Sequence, residues 1–109
     1  IHKKEFDQET VRKLEDMAAA IDHAYDAMIT NLNAAHKGEL ENVANAYNAE
    51  GRINNLRDYL RDAEIEAIES ERKNYQTSVY YMDILSELEK MGDFIINISQ
   101  NLEKVFIKR

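Results

Sequence analysis

From Val11 the apolar residues fall at Val11, Leu14, Ala18, Ile21, Tyr25, Met28, Leu32 and Ala35, alternating steps of three and four without a break. That spacing is a heptad seam and predicts a long amphipathic helix. Asp7 is placed to accept a backbone N–H at its start, and Gly38 to take the left-handed conformation that closes its end, so this helix spans about 8–36. A second periodic segment carries Leu40, Val43, Ala46, Tyr47, Ile53, Leu56, Leu60, Ala63 and Ala67, with Glu50, Gly51 and Asn54 interrupting its middle. The third is the strongest, with Tyr81, Ile84, Leu88, Met91, Ile95, Ile98, Leu102 and Val105 on the seam and Leu85, Gly92, Ser99 and Phe106 widening it on one side. The expected helices cover about 39–70 and 74–107, with the break inside the polar stretch 69–77. Helices of this length on short connections predict an all-α, antiparallel three-helix bundle running up-down-up.

Composition narrows the chemistry. The 109 residues contain no cysteine, proline or tryptophan and three glycines, a helical composition that fits one domain. Without cysteine there is no disulfide, no thiolate nucleophile and no cysteine-ligated zinc. The formal charge of -7 argues against nucleic acid as a partner, since a phosphate backbone needs a basic face. The basic cluster Arg57, Arg61, Arg72 and Lys73 is interspersed with acids and is expected to be a solvated surface. No apolar run approaches the roughly 20 residues that span a bilayer. The chain opens at Ile1 in charged residues without an initiator methionine, so a piece of a longer protein is expected, although processing would look the same.

Nucleophile elbows and phosphate-cradling glycine loops are missing from the sequence, and none of His2, His23 and His36 has a glutamate three residues before it. The six tyrosines are expected at the rims of the helix contacts. Two acid pairs remain. Asp22 and Asp26 flank the first seam and are expected in solvent. Glu89 and Asp93 stack on one face of the third helix around Gly92, where like charges repel by a few tenths of a kcal/mol and the glycine costs about 1 kcal/mol relative to alanine. Two readings account for them. Either Arg52, Arg57 or Lys90 neutralises the carboxylates while Gly92 permits close helix approach, or the acids hold a hard divalent ion, with Glu50 contributing from the second helix. Phe94 and Ile96, with Ile95 between them, make the third helix apolar nearly all round for one turn, which predicts a second partner on that helix.

These residues also resemble a known family. The segment INNLRDYLRDAEIEAIES followed by YYMDILSELEKMGDFIINISQNLEK resembles the PhoU-like helical domain, most closely the copy at the cytoplasmic C-terminus of sodium/phosphate cotransporter family proteins. Ile53, Asn54, Leu56 and Arg57 match the family's second-helix pattern, and Glu89, Gly92, Asp93, Asn97 and Ile98 match its third-helix pattern. About the last 60 residues carry the likeness, while the first helix matches only as an amphipathic helix. Phe94 stands where histidine is common, Gln100 where glutamate is common, and Asn54 where aspartate is common in metal-binding members.

The resemblance implies a non-catalytic regulatory domain in phosphate transport at the cytoplasmic face of the inner membrane, partnered by a membrane transport domain of the same polypeptide. It implies a metal set of Glu89, Asp93 and Glu50 for magnesium, manganese, iron or zinc, while the second apolar face of the third helix predicts an interaction surface of Phe94, Ile96 and Asn97. The alternatives are a free-standing divalent-metal-binding bundle and a homodimerising helical module built on Phe94 and Ile96.

Overall fold

The computed structural model describes residues 6–70 and 74–107. Within them the chain forms α1 (Gln8–His36), α2 (Ala44–Glu69) and α3 (Tyr75–Phe106), each packed on the other two, with no strand among the described residues. The basic residues Arg72 and Lys73, and His2 in the charged leader, lie outside that range.

The capping signals act as their chemistry requires. Asp7 accepts from the backbone N–H of Thr10 at 2.7 Å, and Gly38 takes a φ of 71° just beyond α1. Asn74, whose side chain accepts from the N–H groups of Gln76 and Thr77, starts α3. The second helix departs from expectation, beginning at Ala44 rather than near 39. Asn42 accepts from the Ala44 N–H at 3.0 Å, a local side-chain bond that competes with continuing the helix backwards. Buried Val43 is the turn's anchor to the core.

The buried faces repeat every seven residues: Thr10, Met17, Ala24 and Asn31 on α1; Ala46, Ile53, Leu60 and Ala67 on α2; Ser78, Leu85, Gly92 and Ser99 on α3. Met17, Ile21, Ile53, Leu60, Leu85 and Ile96 fill the middle, and polar residues close both ends of the stack. On α1 and α3 this face is not the seam that apolarity alone marks out. Val11, Tyr25 and Leu32 of the expected α1 seam are exposed, as are Ile84, Met91, Ile98 and Val105 of the α3 seam. The core instead uses the flank holding Leu85, Gly92 and Ser99, because small residues let helix backbones approach. Gly92 shows the tightness directly. A Cβ there would sit 3.1 Å from Ile53 Cδ1 and 3.8 Å from Ile21 Cγ1.

Candidate functional site

Glu89 faces α2. Arg57, one turn beyond Ile53, forms a close ion pair with it through Nη1, and Arg61 Nη2 stands 3.8 Å from its other carboxylate oxygen. Its side chain is 19% exposed. Arg57 also donates to Asn54 Oδ1 at 3.4 Å and to Asp58 Oδ1 at 2.9 Å, so its guanidinium ties acids and an amide of two helices into one cluster. The same flank of α3 carries Glu103, whose carboxylate accepts from the Tyr47 hydroxyl at 2.8 Å. That hydrogen bond is the main reason the Tyr47 phenol is raised above its ordinary range.

The remaining members of the expected acid set do not join Glu89. Asp93 is exposed and Glu50 half-buried on α2, and among the described residues no group of three or more histidines and acids is placed to hold a metal ion. In this arrangement the Glu89 carboxylate is paired with a guanidinium instead of being grouped with other acids. Of the two readings of the acid pair, arginine neutralisation with close approach at Gly92 is the one the geometry displays for Glu89.

The expected interaction residues separate as well. Phe94 is 70% exposed and Asn97 is exposed, but Ile96 is 2% exposed and belongs to the core. Two residues along an α-helix turn through about 200°, so positions 94 and 96 cannot share a surface. Phe94 lies instead in a stripe with Tyr80, Ile84, Met91, Ile98 and Val105, all exposed. The stripe runs on the side of α3 away from Glu89 and Glu103, with half-buried Leu88 and Ile95 between it and the core. A matching stripe on α1 holds Val11, Tyr25, Ile29 and Leu32. Ile21 marks the α3 side of α1, its Cγ1 3.8 Å from where a Cβ on Gly92 would stand, and the α1 stripe flanks it on the outer side. Glu89 marks the α2 side of α3, so the two stripes border one groove between α1 and α3.

Sequence reasoning missed two buried polar sites at the ends of the core. At one, Asn31 Nδ2 donates to Asn45 Oδ1 and to Ser99 Oγ, both at 3.0 Å. At the other, Ser78 Oγ donates to Glu64 Oε2 at 2.5 Å. Glu64 is 2% exposed, and its Oε1 and the Tyr81 hydroxyl have no hydrogen-bond partner among the described residues. Burial, and secondarily the Glu64 carboxylate, push the Tyr81 phenol up to about 12. The one signal for these sites was the seven-residue spacing of Thr10 to Asn31 and of Ser78 to Ser99, which a search for apolar periodicity passes over.

Comparison with protein-family models, curated proteins and solved structures finds no match to this chain.

Proposed function

We propose that this chain is a non-catalytic regulatory module of the PhoU-like kind, an up-down-up bundle that accompanies a phosphate-transporting membrane domain at the cytoplasmic face. One observation carries the reading. The residues of the family-like pattern on α2 and on α3, more than 30 positions apart in the sequence, meet in space: Ile53 against Gly92 and Arg57 against Glu89. The pattern thus has a physical purpose as a clamp between two helices, and a clamp of this kind asks for no catalytic group. The end-to-end contacts Asn31 with Asn45, Ser78 with Glu64 and Tyr47 with Glu103 support the up-down-up order. No helix of the described residues is long and apolar enough to cross a membrane, so transport itself falls to the partner domain.

The test is uptake of radiolabelled phosphate by host cells expressing the full gene product, with and without this segment, at low and high external phosphate. Removal of the segment changes the rate of uptake or its response to phosphate. Identical uptake curves, or a gene product with no membrane-spanning segments at all, would end the proposal.

A further inference from the structure

We infer that the groove face shared by α1 and α3 is the contact surface for a second copy of this chain. The inference stands on the exposed stripes alone and does not depend on the phosphate reading.

The ten stripe residues are each between 36% and 70% exposed, which for large side chains sums to apolar surface on the order of 800 Å². The largest apolar patch on an ordinary monomer is about 300–600 Å², whereas a stable pairwise interface takes about 800 Å² from each partner. One copy therefore presents what one side of a dimer needs, and an identical face supplies the other. Phe94, the most exposed of the stripe, sits near the middle of α3, where an interface concentrates its aromatic anchors.

Charge points away from a lipid surface. Asp22 and Asp26 border the stripe on α1, and Glu87 falls within the α3 stripe between Ile84 and Met91. A helix that lies on anionic membrane instead carries lysine and arginine beside its apolar face. Lys90 lies at the outer edge of the α3 stripe. Lys90 already pairs there with Glu87 at 3.3 Å, so the α3 stripe offers no free cation to a lipid headgroup either.

The experiment is size-exclusion chromatography with light scattering on the 109-residue chain from 5 to 200 µM, repeated for Phe94→Glu, Tyr25→Ser and, as a control, Tyr59→Ser on α2. All three side chains are well exposed, so helicity by circular dichroism stays at the parent level. The parent chain shows twice the 12.7 kDa of one copy at the upper concentrations. Phe94→Glu weakens association by at least about 30-fold, as loss of a central anchor does, Tyr25→Ser by several-fold, and Tyr59→Ser leaves it unchanged. A parent chain that stays at 12.7 kDa up to 200 µM overturns the inference, and so does a dimer whose dissociation constant Phe94→Glu leaves in place. Flotation of a monomeric parent chain with phosphatidylglycerol vesicles would overturn it in favour of a lipid partner.

Discussion

The two ends of the core are both closed by buried polar residues, yet they are built on different principles. At the Asn31 end every participant is neutral, and one amide links all three helices through Asn45 and Ser99. At the Glu64 end a carboxylate is buried with a single short hydrogen bond from Ser78, and a phenol beside it has no partner among the described residues. A neutral network of this sort fixes the alignment of helices at little risk, because each group exchanges water for an equivalent partner. A buried carboxylate with an unsatisfied oxygen does the reverse, lowering stability and making what remains sensitive to any change nearby. The Asn31 end therefore behaves as a register lock. The Glu64 end is the softer one.

Breaking the lock has the largest expected effect. Asn31→Ala removes two hydrogen bonds, leaves Ser99 buried without its donor and opens a small cavity, for a loss of about 3 kcal/mol by urea unfolding. The alkaline limb of the stability curve reads the other end, alongside the raised Tyr47 phenol. Tyr81 titrates near 12 in the fold against an ordinary 10.0, so the folded chain holds its proton where the unfolded chain releases it. Stability is full below about pH 10 and falls by roughly 2–3 kcal/mol as pH rises to about 12, seen as a declining urea midpoint. Ser78→Ala takes away the hydrogen bond to Glu64 and lowers stability by about 2 kcal/mol, with the midpoint again the measure. Tyr81→Phe has the smallest effect and the most diagnostic sign. It deletes an unpaired buried hydroxyl while keeping the ring, so stability rises by about 1 kcal/mol and this residue's share of the alkaline loss disappears. A destabilised Tyr81→Phe would show that the hydroxyl is bonded after all, and the two ends would then be alike.

The Arg57–Glu89 cluster is partly legible in the sequence, because an acid near a glycine on a packing helix demands neutralisation and Arg57 is one of the cations on the neighbouring helix. Ile96 turns into the core although it stands two residues from exposed Phe94, because helical rotation alone separates them. Glu64 gave no warning. A lone glutamate among Asp62, Glu66 and Glu69 looks like one more solvated charge, and its burial depends on which flank of α2 meets Ser78.

The sequence by itself determined three helices, the ends of the first, the absence of cysteine chemistry and the presence of more apolar surface on α3 than one seam uses. Helix formation and capping are local, decided by residues within four positions of one another, so a linear reading recovers them. Only the tertiary structure decided which of two neighbouring flanks went inward. Apolarity favoured the stripe through Met91 and Ile98, but close approach of three helices favoured the narrower flank with Gly92 and Ser99. Packing is settled by the space between helices, and a single helix's periodicity does not contain that space.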